Sequence, residues 1–199
     1  SVRDSAWAPN SNTLKVSFYT RGSKSAYLAV VDGSTGDMRV VARDTGKTFV
    51  EISNPQDPGS FYVTKDLKDA FWWSERDGWG HLYRFDAAGV TSVVSNDGDG
   101  GMTVAPAPKG QLTTGAWQIG QISYVDETKK QVFFTGRGRD GFLYYAKLYR
   151  VNYDGTGLTQ VTTEDANHVI TFSPSGKYIV DTYSGIDTPP VTGLRNAAT

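Results

Sequence analysis

The stretch LYRFDAAG, residues 82–89, returns as LYRVNYDG at residues 148–155. A weaker copy, LAVVDGSTG, starts at Leu28, and WAPNSNTLKV from Trp7 matches FSPSGKYIV from Phe172. Each repeat combines an aromatic–Ser/Ala–Pro turn, a buried strand, a Gly-rich hairpin and a strand that ends in an Asp/Gly turn. The spacing of roughly 50 to 65 residues is near the period of propeller blades, so the repeats predict a β-propeller made of small stacked sheets.

The local signals are those of strands throughout, and helical periodicity is hard to find. Short runs rich in β-branched and aromatic residues are bounded by Gly, Asp, Asn, Ser and Pro, and 22 glycines are available for the turns. The sequence therefore predicts an all-β chain. The clearest strand runs are Lys15–Tyr19, Ala70–Trp73, Gln131–Thr135 and Lys177–Val180.

Counting the repeats predicts about four blades, at residues 6–58, 59–110, 111–165 and 166–194. The last blade lacks its final strand. The proline- and glycine-rich residues 96–110 carry little strand signal and are expected to be a surface insertion. An incomplete last blade leaves exposed strand edges, so pairing between copies into a homodimer is possible.

Composition narrows the class of protein. The 199 residues include 20 basic and 21 acidic side chains, for a net charge of −1, which argues against nucleic acid or an anionic membrane as a partner. Cysteine is absent, which excludes disulfides, thiolate zinc sites and a cysteine nucleophile. No run approaches the roughly 18 apolar residues of a membrane span. The start at Ser1, without an initiator Met or an apolar leader, suggests a piece cut from a longer protein.

At residues 71–86, FWWSERDGWGHLYRFD, the sequence resembles the propeller of dipeptidyl peptidase IV-like serine peptidases, in the prolyl oligopeptidase clan. Three later stretches, at residues 112–136, 147–162 and 168–190, resemble the same family in the right order. The resemblance implies the C-terminal half of an N-terminal propeller of about eight blades. In the family an α/β-hydrolase domain then follows, with a Ser nucleophile in a Gly-x-Ser-x-Gly turn and Asp and His partners.

The resemblance implies a non-catalytic region that gates peptide access and contributes to substrate binding in a parent serine-type peptidase, in the periplasm or secreted. Its partners would be peptide substrates and the hydrolase domain. The family holds the free amino terminus of its substrate with an acidic pair earlier in the propeller, and no matching Glu-Glu pair occurs here. The alternative is a stand-alone propeller scaffold without peptidase activity, which should complete its last blade and be a stable monomer.

Two histidines, His81 and His168, are the only bases of the kind that a hydroxyl nucleophile needs. Neither lies near a nucleophile turn, so both are expected to be hydrogen-bonded structural residues. Asp97-Gly98-Asp99-Gly100 could begin a calcium loop, but the twelfth position, where an EF-hand has Glu, is Pro108. The sequence therefore predicts a turn there and no catalytic, cofactor or metal residue in the chain.

Other polar and aromatic residues are weaker candidates for a functional role. The pairs Glu75 with Asp77 and Asp126 with Glu127 are placed in hairpin loops, where solvated side chains are the expected outcome. The loop RGRDGF, residues 137–142, could hold a phosphate or carboxylate or be only a charged turn. Trp79 could be an exposed contact residue or pack on the next blade.

Overall fold

The structure is a computed structural model that describes residues 2–52, 61–91, 104–140 and 142–197. These residues form sixteen β-strands and no helix, which confirms the all-β prediction. The strands are β1 Val2–Trp7, β2 Thr13–Tyr19, β3 Ser25–Asp32, β4 Met38–Thr45, β5 Phe61–Val63, β6 Asp69–Ser74, β7 His81–Asp86, β8 Val90–Thr91, β9 Gly110–Gln111, β10 Gln118–Asp126, β11 Gln131–Arg137, β12 Lys147–Asn152, β13 Thr159–Gln160, β14 Asn167–Phe172, β15 Tyr178–Ser184 and β16 Val191–Asn196.

The strands of the described residues make four antiparallel sheets. Sheet 1 has the order β1-β2-β3-β4-β8, sheet 2 β5-β6-β7-β9, sheet 3 β10-β11-β12-β13 and sheet 4 β14-β15-β16. Sheets 1 to 3 each begin with strands joined by tight turns and end with an outer strand of two residues. Sheet 4 has three strands. This architecture confirms a propeller segment of about four blades whose last blade is incomplete.

The chain divides into two compact units. The first is built on sheets 1 and 2, whose apolar side chains share one core that includes Leu28, Val41 and Trp72. Phe71, Trp72 and Trp73 are all fully buried although neighbouring side chains of a strand point to opposite faces. Strand β6 is therefore buried on both faces, as expected of a sheet packed between neighbours.

Within the first unit, the chain returns from sheet 2 to sheet 1 after β7. Strand β8 pairs with β4, Val90 opposite Val40 and Thr91 opposite Arg39. Gly89 makes this return possible, because its φ is 62° and a Cβ there would lie 2.8 Å from the Val40 carbonyl oxygen. Any other residue would collide with the backbone of β4.

The second unit contains residues 77–81 together with sheets 3 and 4. Its core joins the two sheets through Phe133, Leu148, Ile170 and Ile179. Phe172 packs between aromatic rings, with centroids 4.9 Å from Tyr124 and 5.1 Å from Phe133. The aromatic residue of the predicted aromatic–Ser–Pro turn is thus partly buried and packs against the core of this unit.

Some expectations are outside what the structure describes. Residues 96–103 of the predicted insertion, with the Asp97–Gly100 turn, and the start of the second predicted blade at residue 59 lie outside the described ranges. The residue limits of the four predicted blades stay predictions. No helix among the described residues is long and apolar enough to cross a membrane.

Candidate functional site

A cluster of charged and titratable side chains in the second unit is centred on Asp181, which strand β15 places at a fully buried position. His168 on β14 brings Nδ1 to 2.9 Å from Asp181 Oδ1. Arg195 on β16 brings Nε to 2.8 Å from Asp181 Oδ2, an ion-pair distance at which the N–H is not aligned for a hydrogen bond. Arg195 Nη2 donates to Glu164 Oε1 at 2.6 Å. One buried carboxylate therefore joins all three strands of sheet 4 and the segment before them.

Each side chain of this cluster has a partner within it. His168 Nε2 lies 3.2 Å from the Glu164 carbonyl oxygen, so both ring nitrogens face oxygen atoms that accept. The hydrogen bond that Arg195 donates to Glu164 raises the pKa of Arg195. Burial is the largest single influence on Glu164 and would raise its pKa, but the hydrogen bond and charge of Arg195, together with backbone N–H groups, outweigh burial and lower this pKa. Both groups are held in their charged forms.

The same side chains have the spacing of metal ligands. Ligand atoms of Glu164, His168 and Asp181 all lie within 4.8 Å of one another. However, Arg195 already contacts both carboxylates, so a guanidinium stands in the position where a cation would be attracted. The geometry is that of a self-contained ion network, and the sequence-based expectation of no metal site stays a prediction.

A cleft of about 300 Å³ opens beside this network, between sheets 3 and 4. Its wall combines aliphatic side chains with the polar groups of Thr162, Arg195 and Asn196. The residues that shape it include Leu148, Val161, Ile170, Ile179, Leu194 and Arg195.

The first unit has its own buried carboxylate, Asp44, at the end of β4. Trp72 Nε1 donates to Asp44 Oδ2 at 2.5 Å, and the Ser74 hydroxyl donates to Oδ1 at 2.7 Å. Arg76 Nη2 donates to Oδ1 at 2.8 Å while its guanidinium stacks 4.6 Å from the Tyr83 ring. Asp44 therefore ties sheet 1 to sheet 2 with three donors.

A cleft of about 210 Å³ lies next to Asp44, lined in part by Phe49, Glu51, Glu75 and Arg76. Burial and the neighbouring Glu51 carboxylate raise the pKa of Tyr19, beside this cleft, to about 12. The cleft is thus lined by both signs of charge and has an exposed aromatic residue, Phe49.

Both histidines are hydrogen-bonded, as the sequence predicts. His81 is fully buried, and its Nε2 lies 3.0 Å from the Gly115 carbonyl oxygen, to which it must donate. Nδ1 then accepts from the Thr113 hydroxyl at 3.0 Å. Burial lowers the pKa of His81, and the Gly115 carbonyl only partly opposes this, so the neutral ring is favoured.

The predicted carboxylate pairs lie in hairpins. Asp126 ends β10 and accepts the backbone N–H groups of Thr128 and Lys129, which shapes the turn to β11. Asp77 accepts the Trp79 N–H at 3.2 Å and lies 3.8 Å from the ring of His81. These carboxylates order turns. Trp79 itself is exposed.

Two residues of the loop RGRDGF, Arg139 and Asp140, make side-chain contacts within the second unit. Asp140 forms a close ion pair with Lys147, which also contacts Asp165, and this hydrogen bond lowers the pKa of Asp140. Arg139 stacks 5.5 Å from the Trp117 ring. The loop then leaves Leu143 and Tyr144 exposed, so its outer surface is apolar and aromatic.

Sequence reasoning missed the buried aspartates Asp44, Asp69 and Asp181. A signal exists for Asp181, because it holds an inward position of the alternating strand YIVDTYS two residues after buried Ile179. A charged residue there demands a buried partner. Arg195, its partner in space, offers no such signal in the sequence.

Comparison with known proteins agrees with the fold. A family model described as the dipeptidyl peptidase IV (DPP IV) N-terminal region matches residues 2–190. The chain is 30% identical over 118 residues, or 58% of its length, to the probable dipeptidyl peptidase 4 of Trichophyton verrucosum, of which the match covers 13%.

Solved structures give the same result. The chain is 27% identical to a Bacteroides ovatus protein assigned as a dipeptidyl aminopeptidase IV, with a TM-score of 0.74 over 100% of this chain and 28% of that one. Dipeptidyl peptidase 4 of Porphyromonas gingivalis, 20% identical, shares the fold with a TM-score of 0.76 over 98% of this chain and 24% of that one. The chain thus spans less than a third of either solved relative. With the family model matching nearly its whole length, the chain belongs to the family of dipeptidyl peptidase IV N-terminal regions.

Proposed function

We propose that this chain is a non-catalytic propeller region of a dipeptidyl peptidase IV-like serine peptidase, which gates peptide access and contributes to substrate binding. The relatives named above are dipeptidyl peptidases, and the family model covers residues 2–190 of this chain. The acyl transfer to Ser and the hydrolysis that follows would take place on a different part of the parent protein.

The observation that carries this proposal is the environment of the two histidines. A serine nucleophile needs a histidine base that can reach both the hydroxyl and the substrate. The rings of His81 and His168 are buried, and every ring nitrogen is within hydrogen-bond distance of a structural partner. Both histidines therefore have structural hydrogen-bond partners.

A role in substrate binding is supported by the exposed aromatic surface of the β11–β12 loop. Leu143 and Tyr144 are exposed there by 59% and 79%, next to the ring of Phe142. Rigid aromatic and aliphatic side chains supply contact area to a peptide at a low cost in conformational entropy. This loop is the surface of the described chain that we assign to peptide contact.

The test is a peptidase assay of the purified 199-residue chain on a dipeptidyl chromogenic amide, with a longer peptide titrated by NMR in parallel. We expect no turnover, and chemical-shift changes that include Tyr144. Tyr144→Ala should weaken the peptide effect, while Tyr178→Ala, an exposed tyrosine on sheet 4, should not. Turnover that disappears in His81→Gln or His168→Gln would overturn the non-catalytic assignment.

A further inference from the structure

The loop between β11 and β12 carries a positive charge that is held by aromatic rings. Arg139 is exposed, and its guanidinium lies 5.5 Å from the ring centroid of Trp117 and 5.6 Å from that of Tyr149. Both distances are within the range of cation–π contacts. Within residues 2–52, 61–91, 104–140 and 142–197, no carboxylate forms an ion pair with this guanidinium. Arg139 therefore has an aromatic support and no anion paired with it in the described part of the chain.

The aromatic rings that support Arg139 are fixed by their own contacts. Trp117 is buried, and its Nε1 donates to the Thr114 carbonyl at 2.8 Å. Its ring packs edge-on against the buried ring of Tyr149, with centroids 5.0 Å apart. Gly136 allows this approach to β11, because a Cβ there would lie 2.5 Å from Trp117 Cζ3. A guanidinium on such a rigid surface has less conformational entropy to lose when it binds an anion.

The carboxylate next to Arg139 in the chain is paired with a different cation. Asp140 forms a close ion pair with Lys147 and accepts the Phe142 N–H at 3.2 Å. Lys147 is buried and also lies 3.1 Å from an Asp165 carboxylate oxygen. Both carboxylates are thus paired with one lysine, and the charge of Arg139 is left over. A single positive charge matches a monoanion such as a carboxylate.

An apolar surface belongs to the same loop. The Gly138 N–H donates to the Phe142 carbonyl at 3.2 Å, which closes the loop. Leu143 folds back over Gly138, where a Cβ would lie 2.7 Å from Leu143 Cδ2. Leu143 and Tyr144 nevertheless remain exposed. One short loop therefore presents a guanidinium, an aliphatic side chain and an aromatic side chain.

We propose that Arg139 binds a carboxylate of the peptide that contacts this loop, while an apolar side chain of the same peptide packs on Leu143 and Tyr144. The carboxylate belongs to the C-terminus of a short peptide or to an Asp or Glu side chain. A guanidinium whose face stacks on an aromatic ring keeps its in-plane N–H groups for a bidentate carboxylate. This inference rests on the proposed function, because the proposed function is what makes peptides the ligands of the loop.

The test compares peptides that differ only in one carboxylate. The first probe is acetylated Ala-Ala-Leu-Ala with a free C-terminal carboxylate, and its control is the same peptide with a C-terminal amide. The second pair, acetylated Ala-Asp-Leu-Ala and Ala-Asn-Leu-Ala, both amidated, places the carboxylate on a side chain. Each peptide is titrated into the 199-residue chain, and NMR follows the backbone amide of Tyr144 and the Nε–H group of Arg139.

We expect at least one carboxylate peptide to bind about three- to fivefold more tightly than its neutral control and to shift the Arg139 Nε–H signal. Arg139→Gln should abolish this preference. Arg139→Lys should keep only part of it, because an ammonium group lacks the planar fork of a guanidinium. Lys177→Gln removes the same charge from an exposed position in the β14–β15 turn and should keep the full preference. The pair that shows the preference identifies the carboxylate as terminal or side-chain.

Equal affinity for the carboxylate peptides and their neutral controls would overturn the inference. A preference that survives Arg139→Gln would also overturn it, as would one that Lys177→Gln removes, since that preference would reflect net charge alone. If all four peptides shifted Tyr144 equally, the carboxylate inference would fall and the proposed peptide contact would stand. Peptidase turnover by the chain would instead remove the proposed non-catalytic function and leave a measured carboxylate preference standing.

Discussion

Asp44 and Asp181 are buried carboxylates, one in each unit, yet they are satisfied in different ways. Asp44 accepts from the neutral Trp72 and Ser74 side chains and from Arg76, whose side chain is 26% exposed. Asp181 is fully buried and contacts His168 and Arg195, both of which can be charged. Asp44 therefore has two neutral donors beside its guanidinium, whereas Asp181 has an imidazole ring beside its own.

The difference predicts how strongly the stability of each unit depends on its buried aspartate. Both aspartates pair with a partly exposed guanidinium, so the difference lies in their other partners. Removal of Asp44 leaves the Trp72 and Ser74 donors unmet, whereas removal of Asp181 breaks an ion pair at a fully buried position and leaves the fully buried His168 ring without its partner. The Asp181 network also reaches Glu164 through Arg195, so it includes a group that titrates in acid. The second unit should therefore be the more sensitive one to mutation and to pH.

The largest effect is expected from Asp181→Ala, at about 3–5 kcal/mol of unfolding free energy, because the change leaves His168 and Arg195 without their shared anion. Urea denaturation followed by fluorescence measures it. Asp187→Ala, at an exposed aspartate of the β15–β16 turn, is the control and should stay within about 0.5 kcal/mol of the parent chain. A loss for Asp181→Ala as small as that of the control would contradict the buried network.

A smaller loss, about 1.5–3 kcal/mol, is expected for Asp44→Ala, because Arg76 can turn to solvent and only the Trp72 and Ser74 donors remain buried and unmet. The same denaturation experiment measures it. Ser74→Ala removes one donor and should cost about 1 kcal/mol. If Asp44→Ala destabilised the chain more than Asp181→Ala, the stronger dependence of the second unit on its buried aspartate would be wrong.

The smallest expected effect is on the stability of the folded chain at low pH. The pKa of Glu164 is lowered from its ordinary 4.5, so the unfolded chain binds the proton more readily than the folded one. The contribution of Glu164 is present above pH 4.5 and is lost as the pH falls through its folded value. Glu164→Gln should remove this part of the acid slope, at a cost below about 1 kcal/mol at pH 7. Denaturation at pH 6, 4.5 and 3 tests it, and an unchanged slope would contradict the pairing with Arg195.

The repeats made the fold accessible from the sequence. Leu-Tyr-Arg at residues 82 and 148 predicted strands that the structure contains as β7 and β12, and the four signature stretches predicted the family. Tight turns and alternating apolar residues are local signals, so they can be recognised in the sequence without knowing which strand pairs with which. The sequence also predicted that both histidines are hydrogen-bonded structural residues, because neither lies near a nucleophile turn.

Tertiary structure alone decided which distant groups meet. Arg195 and Glu164 are 31 positions apart, and Asp44 and Trp72 are 28 apart, so no local pattern joins them. The return of β8 to sheet 1 depended on a glycine that fits against one carbonyl of β4. Sequence by itself determined the strands and their family, because those follow from side-chain period and turn chemistry. The ion networks and the clefts follow from how sheets pack, which only the folded chain specifies.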